Sequence, residues 1–206
     1  MFRLLFLIAL LQFHQPVFST EDTVSQAVAR YLTRIHKYME DEDWINAKRE
    51  LEVTARRYFK NEDSYERALI NQLYGQFYAL QRDYKNAIPW FEKAVAKGRL
   101  PFAADLQVSY SLAQCYFQTG RYKDVIATLE NYRDKASKRG QNMAPIQLML
   151  LGIAYYQEQD TLNAYLNIAE ANATATKLNE EWLQYEFALA VKLEKYDDAV
   201  RVGQFL

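Results

Sequence analysis

One spacing recurs along this chain, and it constrains the fold more than any other feature. It is clearest in Tyr74-Gly75, Tyr78, Tyr84, Ala87, Phe91 and Ala94. A second copy is Leu112-Ala113, Tyr116, Gly120, Tyr122, Val125, Leu129 and Tyr132, and a third is Leu151-Gly152, Tyr155, Ala164, Ile168 and Ala171. The internal spacing is the same in all three, while Gly75 to Ala113 is 38 residues and Ala113 to Gly152 is 39. The variable length falls between copies, in 97–104 and 135–145, where Gly98, Pro101, Gly140 and Pro145 punctuate the chain as linkers do. Weaker copies flank these: Ile35, Tyr38, Trp44, Ala47 and Leu51 upstream, then Trp182, Tyr196 and Ala199 downstream.

A template of this length with helical periodicity is a pair of antiparallel helices. The small residue (Gly75, Ala113 or Gly152) lets the partner helix approach, and Ala87, Ala164 or Ala199 does so from the other side. Tyr78, Tyr116 and Tyr155 lie on the same face and fill the space beside that contact. No single hairpin can bury all of this, so neighbours must stack. The spacing predicts an all-α chain, an α-solenoid of about five hairpins near 28–61, 68–101, 106–139, 145–178 and 180–206. Pro89 falls inside a second helix, where proline costs about 3 kcal/mol and predicts a local bend. The last helix is expected over Asp197–Leu206, ending on apolar Phe205 and Leu206 without a polar cap.

Composition narrows the function. Lys and Arg total 25 against 26 acidic residues, a balance of -1 that gives no field for nucleic acid. The chain has one cysteine, Cys115, and two histidines, His14 and His36, too few for an internal disulfide or an ordinary zinc site. Cys115 lies among apolar helix residues and is expected to be an inert buried thiol. No Gly-rich phosphate loop or nucleophile elbow is present, and the carboxylates are spread over helix surfaces, so neither catalysis nor a cofactor is expected. Asn172-Ala173-Thr174 matches a glycosylation sequon, a pattern that also arises by chance.

The first residues read as an address. Met1-Phe2-Arg3 is a positive start, Leu4 to Phe13 an apolar run, and Val17-Phe18-Ser19 suits a signal peptidase. The run falls short of the roughly 20 residues that span a bilayer. A signal peptide over 1–19, cleaved after Ser19, is therefore expected, leaving 20–206 as the repeat array outside the cytoplasm. With no cysteine beside the cut, a lipid anchor there is not expected.

The repeated positions resemble the tetratricopeptide-repeat (TPR) family over nearly all of the mature chain, and the resemblance implies a right-handed superhelix that binds proteins. Ser64-Tyr65-Glu66-Arg67-Ala68, Ser109 to Phe117 and Glu181-Trp182-Leu183 further resemble periplasmic TPR proteins encoded beside TonB, ExbB and ExbD. That likeness implies an accessory of energised outer-membrane transport in a Gram-negative bacterium. In the TPR family the concave face comes from first-helix positions six and three before the small residue and one, four and five after it. Here these are Leu69, Gln72, Gln76, Ala79 and Leu80; Gln107, Tyr110, Gln114, Phe117 and Gln118; and Ile146, Met149, Ile153, Tyr156 and Gln157. None is charged, which argues against gripping a carboxylate and suits an extended, largely uncharged peptide, with amides bonding its backbone and rings stacking on its side chains. Tyr110, Phe117, Met149 and Tyr156 are expected to form an exposed cluster. Self-association, or pairing with another repeat protein through the apolar end at Phe205 and Leu206, is the competing expectation.

Overall fold

The computed structural model describes residues 26–58 and 63–206. The signal-peptide segment expected over 1–19 lies outside the described residues. Ten helices and no strand occur among the described residues, in five antiparallel pairs: α1 (Gln26–Glu40) with α2 (Trp44–Tyr58), α3 (Tyr65–Leu80) with α4 (Tyr84–Val95), α5 (Phe102–Gln118) with α6 (Tyr122–Ser137), α7 (Pro145–Gln157) with α8 (Thr161–Thr174), and α9 (Glu180–Lys192) with α10 (Tyr196–Gly203). Each helix packs chiefly on its neighbours in sequence, the quasi-one-dimensional arrangement of an α-solenoid.

The five hairpin turns share one construction. A residue in the left-handed region precedes each second helix: Glu42 (φ 55), Arg82 (φ 61), Gly120 (φ 74), Gln159 (φ 65) and Glu194 (φ 58). Four of these are not glycine and bear the steric cost of that conformation. In every turn the next residue's amide donates back to the same column of the first helix, to the carbonyls of Tyr38, Tyr78, Tyr116, Tyr155 and Ala190, at 2.8–3.0 Å. Where that next residue is Asp43, Asp83 or Asp160, its carboxylate caps the second helix by accepting the amide of Asn46, Asn86 or Asn163.

This turn fixes the register of the fifth hairpin, where the template is faint. Ala190 stands in the tyrosine column, so Phe187 holds the place of Gly75, Ala113 and Gly152. Its partner is Gly203, whose added Cβ would lie 3.4 Å from the Phe187 ring. At the equivalent contacts, a Cβ on Gly75 would lie 2.5 Å from the Phe91 ring and one on Gly152 would lie 2.6 Å from Ile168. The small and large partners have exchanged helices while the pair remains complementary in volume.

α10 stops at Gly203, shorter than the expected run to Leu206, and Phe205 and Leu206 follow it exposed. α4 continues through Pro89 to Val95. The missing amide donor falls on the exposed side, with Lys85 one turn back also exposed, so water can serve the carbonyl left behind.

Buried residues from α3 to α10 form one continuous core, with Phe91, Leu129 and Ile168 as its large second-helix members. A second cluster joins Ile35, Met39, Ala47 and Leu51 of the first hairpin to Ile70, Leu73 and Phe77 of α3.

The template tyrosines also bind the repeats together. Tyr116 Oη donates to Glu92 of α4 at 2.6 Å, and Tyr155 Oη donates to Glu130 of α6 at 3.0 Å. Each rung joins a first helix to the second helix of the preceding hairpin, at the residue after Phe91 or Leu129. Burial, the carboxylate hydrogen bond and its charge raise Tyr155 to about 12, and the same causes raise Tyr116. An unfolded tyrosine ionises near 10, so the native state keeps a proton there that the unfolded chain loses. This stabilisation is complete below about pH 10 and disappears as pH rises towards about 12. Melting curves between about pH 9 and 11.5 should therefore fall more steeply for the parent than for Tyr155→Phe, and parallel curves would refute the rung.

Candidate functional site

The concave positions divide by their place along each helix. On α7, Ile146 near the start and Tyr156 and Gln157 at the end are exposed, while Met149 and Ile153 in the middle turns are 1% and 2% exposed. On α3, Leu69, Gln72, Ala79 and Leu80 are half-buried, and Gln76 is 3% exposed. The expected exposed cluster therefore loses Met149. Ile153 and Gln76 are likewise not open lining residues. Met149 and Ile153 belong to the main core because every residue from Leu148 to Ala154 is buried, so α7 is covered on all its faces at that level. Counting from the small residue gives a direction around the helix and leaves open how closely neighbouring elements approach it.

What remains accessible is a band centred on α5. Gln107, Tyr110, Gln114 and Phe117 are half-buried and Gln118 is exposed. Burial raises Tyr110 to about 12, against the opposing effect of the neighbouring Gln114 side chain. Phe117 meets Tyr122 edge to face, with centroids 5.5 Å apart. On α3, the side-chain carbonyls of Gln72 and Gln76, one turn apart, are buried without a hydrogen-bond donor.

In the fifth hairpin the same first-helix offsets fall on residues that the weak template hid. Counted from Phe187 they are Glu181, Gln184, Ala188, Val191 and Lys192, all exposed. The signal for them was present in the sequence: Ala199 lies as far from Phe187 as Ala87 does from Gly75. Lys192 reaches across to α7, its Nζ 5.9 Å from the centroid of the Tyr156 ring. The first hairpin places His36 at a concave position, and burial lowers its pKa despite the opposing charge of Glu40.

No group of acidic, His or Cys residues suited to a metal occurs among the described residues. Cys115 is buried, and burial alone raises its thiol to about 12, where it is not a thiolate at neutral pH. Asn172 is also buried, its Nδ2 donating to Glu186 at 2.8 Å and to the Trp182 carbonyl at 3.1 Å. The sequon nitrogen is thus engaged inside the fold.

These repeats place the chain among known architectures. A family model described as anaphase-promoting complex, cyclosome, subunit 3 matches residues 80–144. A tetratricopeptide repeat protein from Parabacteroides merdae superposes with a TM-score of 0.66 at 14% identity, over 87% of this chain and 65% of that one. The chain has a TPR-like repeat fold. MamA from Desulfovibrio magneticus RS-1, solved from residue 41 to its end, is similar with a TM-score of 0.66 and 16% identity, over 88% of this chain and 92% of that one. A Podosopora anserina protein described as a kinesin light chain with TPR-like repeats gives 0.62 and 16%, over 86% and 92%. No curated protein matches the sequence. At such identities the likeness shows the fold alone. No described helix is long and apolar enough to cross a membrane.

Proposed function

We propose that this TPR-like protein is a non-enzymatic scaffold that holds an extended segment of a partner protein on its concave face. The observation that carries this reading is the uncharged, accessible band of Gln107, Tyr110, Gln114, Phe117 and Gln118 on α5, continued by exposed Tyr156 and Gln157 on α7. The side-chain amides of Gln114, Gln118 and Gln157 can bond a peptide backbone, and the rings offer stacking area. The apolar leader and its cleavage pattern support export, and the likeness of 64–75, 109–117 and 181–183 supports a place beside TonB, ExbB and ExbD in a Gram-negative periplasm.

The test is to express the full precursor in a Gram-negative host, purify the product from the periplasm, and confirm the new amino terminus by mass spectrometry. A displayed library of random peptides is then selected on it. Tyr110→Ala and Tyr156→Ala should each weaken the selected peptides by about thirtyfold, the usual cost of truncating an aromatic anchor. Unchanged affinity for both variants would remove the concave face as the site, and a cytoplasmic product retaining Met1 would remove the export reading.

A second reading has its own observation. Ile88 on α4 and Tyr165 on α8 are buried beneath the next hairpin's contacts, whereas Val200, at the same position on α10, is exposed beside Tyr196. An envelope-assembly role, with another repeat protein or a second copy seated on this end, would use that surface in place of the concave face.

A further inference from the structure

We infer that the concave face ends in a slot for a basic residue of the bound peptide, an inference that rests on the concave-face reading above. A cavity of about 820 Å³ lies between the start of α7 and the start of α9, walled by the 175–179 connection. Its lining includes Ile146, Leu178, Glu180, Glu181, Trp182 and Gln184. Ile146 holds a concave position on α7, and Glu181 and Gln184 hold concave positions on α9, so the slot opens into the same surface.

The chemistry of the walls selects the occupant. Ile146 and Leu178 are exposed on either side, and Trp182 is only partly buried. These are suitable surfaces for the methylene stem of arginine or lysine, and the part-exposed Trp182 side chain adds an aromatic wall. Glu180 and Glu181 are exposed, and neither forms an ion pair among the described residues. Glu180 Oε1 accepts only a long 3.3 Å bond from Gln184. Lys177 also lines the slot, leaving two carboxylates against one ammonium. The concave positions of α3, α5 and α7 carry no charge, and α1 offers the single carboxylate Glu40 beside His36 at the far end of the array, so the paired carboxylates that complement a cationic side chain are those of α9. Lys192, over Tyr156 at the opposite end of α9, repels the same cation from the other edge and so orients the peptide.

The peptide selection described above tests this on the intact mature chain. Peptides enriched on the parent should carry an arginine or lysine at a fixed distance from an apolar residue. Replacing that residue in a synthetic copy by norleucine should weaken binding to the parent about tenfold, and to the folded Glu180→Gln/Glu181→Gln variant by less than about twofold. Enriched peptides without a basic residue, or an equal loss on both proteins, would overturn the slot. The two levels separate cleanly. If Tyr110→Ala and Tyr156→Ala weaken the peptides and the glutamine variant does not, the concave site stands and the slot falls. If no peptide is enriched, or all of these variants bind like the parent, both fall.

Discussion

Gly152→Leu should unfold this protein at a markedly lower temperature than the parent, with a cost of at least about 3 kcal/mol, the upper end for overpacking a close contact. The first added carbon already lies 2.6 Å from Ile168 Cγ1, 3.1 Å from the Ala164 carbonyl oxygen and 3.3 Å from Asn167 Cβ. Ile168 is fully buried, and the carbonyl belongs to the backbone of α8, so neither can swing aside as an exposed side chain would. Relief requires α7 and α8 to separate, and the core from α3 to α10 is continuous through them. Gly75→Leu should behave similarly, because its Cβ would meet three atoms of the fully buried Phe91 ring within 2.8 Å. The control is Gln118→Ala, at an exposed position, which should leave the melting temperature almost unchanged. Gln76→Ala is not a neutral control, since Gln76 is buried. Thermal unfolding by circular dichroism decides the matter, and glycine variants that melt with the parent would mean that the helices do not approach as described.

Arg201→Ala should cost about 2 kcal/mol, several times what an ordinary surface ion pair contributes. Glu186 is 2% exposed, yet its carboxylate accepts from Asn172 of α8 at 2.8 Å and from Arg201 of α10 at 3.0 Å. It therefore ties three helices together around one buried charge. Removing Arg201 leaves that charge with Asn172 as its remaining hydrogen-bond donor. The arginine side chain is itself 57% exposed, so water screens part of the loss and the cost falls below the roughly 3–5 kcal/mol of a fully enclosed pair. A double-mutant cycle isolates the term: in a Glu186→Gln background, Arg201→Ala should cost much less, because no buried charge is stranded. Equal costs in both backgrounds would show that Arg201 acts through packing alone.

Some of these features could be read before any coordinates. Gly75, Gly152, Phe91 and Ile168 announce close helix contacts because overlap tolerates few residue types at a fixed spacing, and that spacing is written along the chain. The polar ties were harder to see. Tyr116 and Glu92, Tyr155 and Glu130, and Glu186 with Asn172 and Arg201 are ordinary surface residue types, and their pairing depends on how one hairpin is set upon the next. Asn172 looked like part of a sequon and is a buried donor.

The sequence by itself determined the helical hairpins, the small and large partners within them and the buried thiol. Each follows from local periodicity and from steric rules acting within one hairpin. Only the tertiary structure decided that Met149, Ile153 and Gln76 are covered while Tyr156 and Gln157 stay open. It also decided that Phe187 and Gly203 exchange the small and large roles, which places Glu181 and Lys192 on the concave face. The physical reason is the same in both cases: exposure and charge placement depend on the distance and angle between neighbouring hairpins, and those are set by the summed packing of all their side chains rather than by any one repeat.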